Sequence, residues 1–154
     1  LKHIHWNVVG PHFIAVHKML DPQVEAVRAM VDETAERIAT LGVSPVGTPG
    51  ALVAARSWDD YEIGRAGALE HLGALDVVYT GVIESHRKAI EATEETDPVT
   101  QDMLIDQASK LELFHWFVRA HLENVGGELA TAGAKTEAEG ARRASGRKSS
   151  RRSA

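Results

Sequence analysis

Four side chains of metal-ligand type fall within the first 36 residues: His5, His17, Asp32 and Glu36. Imidazole and carboxylate without sulfur make a ligand set suited to iron, zinc or manganese. Asp32 and Glu36 are four apart, so on a helix they share one face. Taken alone, that pair reads as a solvated acidic face, and a single histidine as an ordinary packed or exposed side chain. The case for chemistry rests on the four together. If His17 and Asp32 lie on one helix, their fifteen-residue separation is about 22 Å at 1.5 Å per residue. They cannot then share a metal within one chain unless Asp21-Pro22 makes a full hairpin bend. Yet fifteen residues leave them on nearly the same helical face. A second copy running antiparallel would set His17 of one chain against Asp32 and Glu36 of the other, making two equivalent sites per dimer, with His5 folding in beside His17. A di-iron centre inside one bundle would need two Glu-x-x-His motifs. The chain has one, Glu112-Leu113-Phe114-His115, which argues against that route.

The elements that must carry these residues are helical. Leu1 to Val9 reads as the end of a helix, with Leu1, Ile4, His5 and Val8 in step and Gly10-Pro11 stopping it. Leu1 itself looks like mid-helix sequence, so residues before it are expected. A second helix is predicted from Pro11 to Leu41, with Gly42 as its C-cap. Asp21-Pro22 inside it is either a cap with Pro at the first helical position or a kink in one long helix; the kink is favoured. Val43 to Ser57 reads as a linker, and Ser57-Trp58-Asp59-Asp60 as the cap of a short helix. A long helix is predicted over 63–93, with Gly64, Gly67, Gly73 and Gly81 permitting close helix packing. The last begins at the Asp97 cap with Pro98 in its first position and runs to about Asn124, ended by Gly126-Gly127. No strand alternation is convincing. The expected fold is all-α: a crossover four-helix bundle over residues 1–129 with a short helix in its long central connection.

Apolar residues make up 44% of the 154, enough for one domain with a core. With no cysteine, disulfides, thiolate catalysis and cysteine zinc sites are excluded. No apolar run approaches a membrane span and no leader is visible. The net charge of −5 is asymmetric: from Lys135 onward there are seven Lys/Arg and two Glu, while residues 1–134 carry a net of −10. The segment 130–154 loses the apolar pattern and is expected to be a disordered basic tail. Its cations, Lys135, Arg142, Arg143, Arg147, Lys148, Arg151 and Arg152, are interleaved with Ser, Gly and Ala and have no aromatic neighbours. They suit DNA phosphate contacts without sequence readout; the bland alternative is a solubilising end.

The run Leu1-Lys2-x-x-His5-Trp6-Asn7-Val8-x-Gly10-Pro11-x-Phe13-x-x-x-His17, then Leu20-Asp21, then Asp32-x-x-x-Glu36-Arg37-Ile38-x-x-Leu41-Gly42, closely resembles the Dps family of mini-ferritins. Trp58 and Trp116 also resemble family positions. The resemblance implies a dodecameric cage of four-helix bundles. It implies a two-iron ferroxidase centre shared between subunits, with His5 and His17 from one and Asp32 and Glu36 from the other. Asp21 corresponds to a position close to the metals. The implied activity is oxidation of Fe(II), preferentially with hydrogen peroxide, and storage of the ferric mineral, in a cytoplasmic, nucleoid-associated protein that protects DNA.

A closed cage needs acidic pores to admit cations. Asp102 and Asp106 resemble the acidic lining of the family's three-fold channel, although acids near a helix start also complement its dipole. Trp6, next to His5, and Trp116 are candidate oxidisable neighbours, or else large aromatics packed in a core or interface. His3, His12, His71, His86, His115 and His121 read as surface or packing residues, with Glu112 and His115 as a possible local pair. Two competing functions remain open at this level: a nucleoid-compacting protein with an inactive metal site, and a monomeric helical binding module.

Overall fold

The computed structural model describes residues 1–124 and 126–146. In chain order the elements are α1 (Lys2–Asn7), β1 (Val8–Val9), α2 (Phe13–Thr40), α3 (Pro49–Ala55), β2 (Ala66–Gly67), α4 (Ala68–Thr93), α5 (Pro98–Ala120) and α6 (Glu137–Ala144). The core is built where the apolar stripes of the three long helices meet. Facing it along α4 are the buried Ala68, Leu72, Leu75, Tyr79 and Ile83, with His71, Gly73, Ala74 and Asp76 buried beside them; along α5 they are Leu104, Ala108, Leu111, His115 and Val118, with Gln107 beside them. Steps of three and four keep each set on one helical face. From α2 come Val16, Leu20, Val24 and Met30, and Ile4 and Val8 close the end near the chain start.

The long second helix carries Pro22 in its interior and continues without interruption through Asp21-Pro22. The hairpin that would have folded Asp32 back onto His17 is therefore absent. Pro22 has no N–H for the carbonyl four residues earlier, a loss that packing on both sides of it outweighs. The helix stops where expected. Gly42 has φ +82, and Val43 N–H reaches back to Ile38 O at 3.1 Å, which requires a residue that adopts the left-handed region freely. The other expected stop-and-start signal also holds: the Asp97 side chain accepts from Thr100 N–H at 3.1 Å, with Pro98 behind it. Arg37 near the end of α2 donates to both Asp97 oxygens, joining the two helix ends.

Four details differ from the sequence expectations. The short connecting helix is α3, with Pro49 in its first turn, while Trp58 to Asp60 stays outside any helix; Pro at the first helical position is the stronger start signal. α4 begins at Ala68 because Ala66-Gly67 pairs in parallel with Val8-Val9, returning the connection to the α1–α2 corner. Two-residue pairings leave no alternation to detect. Of the helix-packing glycines, Gly73 serves that purpose, whereas a Cβ on Gly64, Gly67 or Gly81 would meet nothing.

The last difference is the largest. Residues 130–146, expected to be disordered, form a turn and α6. Thr136 caps α6, accepting from Glu139 N–H at 3.2 Å, and Glu139 accepts from Lys135 N–H at 3.1 Å. Gly140 packs directly on Gly73 of α4: a Cβ on either would overlap the other's backbone carbonyl oxygen. Ala141 is buried beside this contact. A helix poor in large apolar residues docks by backbone proximity, so it leaves little trace in hydropathy.

Candidate metal centre

His5 sits on α1 and His17 on α2, brought together by the tight turn at Gly10, where φ is +96. Their rings stack with centroids 3.6 Å apart. Each Nδ1 faces the other residue's backbone carbonyl, at 3.1 Å from His5 and 3.0 Å from His17. A carbonyl only accepts, so both Nδ1 atoms carry a hydrogen, which in the neutral ring leaves the lone pair on Nε2. The backbone thereby selects Nε2 as the nitrogen offered to a metal. Asp21, one turn beyond His17, completes the group: one ligand atom from each of His5, His17 and Asp21 lies within 4.8 Å of the others. It is the one such grouping of three or more among the described residues.

Asp21 is not free of company. Lys2 Nζ donates to its Oδ1 at 2.9 Å, and His5 Nδ1 lies 3.2 Å from the same oxygen. The Lys2 hydrogen bond, with the nearby His5, holds the Asp21 carboxyl below its ordinary range. The Dps-like run includes Lys2 but gives it no role at the site. Its position three residues before His5 puts it on the same face of α1 and was the available signal.

Asp32 and Glu36 do not join this group. They lie on the same uninterrupted helix as His17, about 22 Å along it for Asp32. Both are exposed, and neither side chain has a hydrogen bond or ion pair among the described residues. Two carboxylates thus stand unpaired at one end of α2, and two imidazoles with a third carboxylate at the other. Between and around them α1 and α2 expose apolar side chains: Trp6, Ile14, Val31, Ile38 and Leu41.

Trp6 follows His5 in sequence but turns outward, 73% exposed, onto a shallow hollow shared with Phe13 and Arg65. Phe13 in turn leans on His17, centroids 5.0 Å apart. Trp116 is exposed on α5, beside a cleft that includes Arg87, Glu112 and Arg119, and is not part of the His5–His17 group. Asp102 and Asp106 are exposed on α5, but Asp106 pairs with Lys110 at 2.6 Å. Of the tail cations, Lys135 and Arg142 are exposed. Arg143 is occupied, donating to Ala132 O and to Glu139. Arg147, Lys148, Arg151 and Arg152 lie outside the described residues.

A second histidine–carboxylate cluster went unforeseen. Asp76 on α4 is buried, and accepts from His115 Nε2 at 2.6 Å, from Arg119 Nε at 3.1 Å and from Thr131 Oγ1. Burial pushes its pKa up; the donors His115, Thr131 and Arg119 outweigh burial and hold it below the ordinary value. The local pairing of Glu112 with His115 does not form: Glu112 takes Arg87, and His115 takes Asp76.

Comparison with known proteins gives the family. The Ferritin-like domain model matches residues 1–126. The DNA protection during starvation protein of Mycolicibacterium smegmatis is 62% identical over 137 residues, covering 89% of this chain and 75% of that protein. The chain belongs to the Dps branch of the ferritin-like family. Among solved structures, Mycobacterium smegmatis Dps superposes with a TM-score of 0.85 at 61% identity, covering 88% of this chain and 77% of that one. DpsA14 from Streptomyces coelicolor superposes at 0.83 with 68% identity, covering 84% and 77%. The helical ferritin-like fold expected of a Dps protein is thus the fold found. No helix among the described residues is long and apolar enough to cross a membrane.

Proposed function

We propose that this Dps protein oxidises Fe(II) at a two-iron centre built by two copies. His5, His17 and Asp21 come from one copy, and Asp32 and Glu36 from the other. The single observation that carries the reading is the division of ligands along α2: a preorganised imidazole pair at one end and unpaired carboxylates about 22 Å away at the other. An antiparallel neighbour cancels that separation at both ends of the contact at once. The exposed Trp6, Ile14, Val31 and Ile38 supply apolar surface for such a contact. Iron is the substrate. Neutral imidazoles bind it in the ferrous state, and carboxylates stabilise the added charge of the ferric product. Two adjacent irons deliver two electrons to one hydrogen peroxide, so no free hydroxyl radical need form. Trp6, next to His5 in the chain, would absorb a stray oxidising equivalent.

The wider reading follows from family membership. Twelve copies enclose a cavity in which ferric mineral collects, Asp102 and Asp106 help to line the entry pore, and the basic C-terminal segment holds DNA in the cytoplasm near the nucleoid. The name of the Mycolicibacterium smegmatis relative supports the DNA role. The acidic body would repel DNA, so the seven cations from Lys135 onward carry it, strengthened by many copies per particle. Stopped-flow mixing of anaerobic Fe(II) protein with peroxide tests the activity. Wild type should oxidise two irons per site, and His17→Ala should lose the rapid phase. Equal rates in the two proteins would overturn the assignment.

A further inference from the structure

The segment that ends α6 carries a pattern the metal chemistry does not use. Arg142-Arg143-Ala144-Ser145 places two guanidiniums three and two residues before a serine hydroxyl. Ser145 is the C-cap of α6, half-exposed, and Gly146 follows with φ +66. Its hydroxyl donates to one acceptor, Arg142 O, at 3.2 Å. The last turn of a helix opens at little cost; here it is held by Ser145 N–H on Ala141 O and Gly146 N–H on Arg143 O. Serine, flanking arginines and a chain free to extend at a glycine are what an enzyme that recognises basic peptides requires of its target.

We infer that Ser145 is a phosphorylation site whose modification weakens the grip of the C-terminal segment on DNA; this rests on the proposed DNA role of that segment. In the transfer, Ser145 Oγ bonds to the γ-phosphorus of a nucleoside triphosphate, the bond to the bridging oxygen breaks, the diphosphate leaves, and the hydroxyl proton passes to a base of the modifying kinase. Three local consequences follow. The ester oxygen no longer donates, so Arg142 O loses its partner. A dianion is placed at a helix C-terminus, where the backbone dipole already concentrates negative charge. And the phosphate competes for Arg142 and for Arg143, drawing the latter from Ala132 O and Glu139, contacts that brace α6 beside its Gly140–Gly73 seat. The net charge from Lys135 onward, +5 in the unmodified chain, falls by about two. Each cation lost to DNA lowers the slope of log affinity against log salt by about 0.9, so the slope should fall by about two and affinity near physiological salt by about tenfold or more.

The test uses the full chain, a purified serine/threonine kinase that acts beside arginine, and ATP with Mg²⁺. Mass mapping should place phosphate on Ser145 in the native protein, and Ser145→Ala should lose that label while keeping any on Ser150, where Arg147-Lys148 precede in the same spacing. Phosphorylated Ser150→Ala protein and unmodified Ser145→Glu should both retard DNA less than wild type, with shallower salt dependence. Absence of phosphate at Ser145, or a Ser145 phosphoprotein whose salt slope equals that of the unmodified chain, overturns the proposal. Failure of the underlying DNA reading looks different: unmodified protein truncated after Gly146 would then retard DNA as well as the full chain.

Discussion

Two histidine–carboxylate groups lie among the described residues, and they are built to opposite plans. Around Asp76 both carboxylate oxygens are answered within the chain. The carboxylate takes His115, Arg119 and Thr131, it is 4% exposed, and it ties α4 to α5 and to the segment leading to α6. Around His5 and His17 the order is inverted. The backbone fixes each ring by its Nδ1, leaving Nε2 of the neutral ring open, Asp21 leans on a surface lysine, and Asp32 and Glu36 have no partner among the described residues. Completion marks the first cluster as structural, since a fully paired buried network has nothing left to offer a ligand. Incompleteness, with the tautomer set in advance, marks the second as a place where something else is to be held.

Substitution should separate the two clusters most sharply in stability. Asp76→Ala strands three buried or half-buried donors and should cost about 3–5 kcal/mol, seen as a large fall in Tm or loss of soluble protein. Asp32→Ala and Glu36→Ala remove exposed groups and should leave the midpoint in denaturant within about 0.5 kcal/mol while abolishing rapid iron oxidation. A stable Asp76→Ala protein would erase the distinction. The α6 seat gives the next largest effect: Gly73→Val should expel α6, lowering Tm and exposing the segment after Gly127 to protease, with oxidation retained.

Acid should sharpen the contrast further. Asp97 is held at about 2 by Thr100 and Arg37. Its folded value lies below the ordinary carboxylate value, so it stabilises the fold fully above about pH 4, and that contribution disappears as pH falls through about 2. Arg37→Ala should therefore melt below wild type at pH 6 and converge with it near pH 2; a gap that persisted at pH 2 would assign Arg37 another role. The smallest expected effect lies at the open cluster. Lys2→Met removes the cation on Asp21, and should tighten anaerobic Co(II) or Fe(II) binding a few-fold without moving Tm appreciably.

Much of this contrast was legible in the residues and part was not. His5, His17, Asp32 and Glu36 could be read because helical spacing imposes their positions, and the Gly42 and Asp97-Pro98 signals bounded the helices that carry them. The Asp76 cluster could not, because His115 and Thr131 lie 39 and 55 residues further on, brought there by packing alone. α6 was hidden by composition, although Thr136-x-x-Glu139 is a capping box in plain view. Its anchor is the absence of side chains at Gly73 and Gly140, which hydropathy does not register.

The shared centre is tested most directly by mixing inactive parents. Chains carrying His17→Ala and chains carrying Asp32→Ala with Glu36→Ala should each fail to oxidise iron rapidly. Dissociated and reassembled together in equal amounts, half of the pairs are mixed, and each mixed pair holds one site with every ligand intact. Rapid peroxide-dependent oxidation should return to about a quarter of the wild-type amplitude. A reassembled mixture as inactive as its parents would contradict a centre built by two copies.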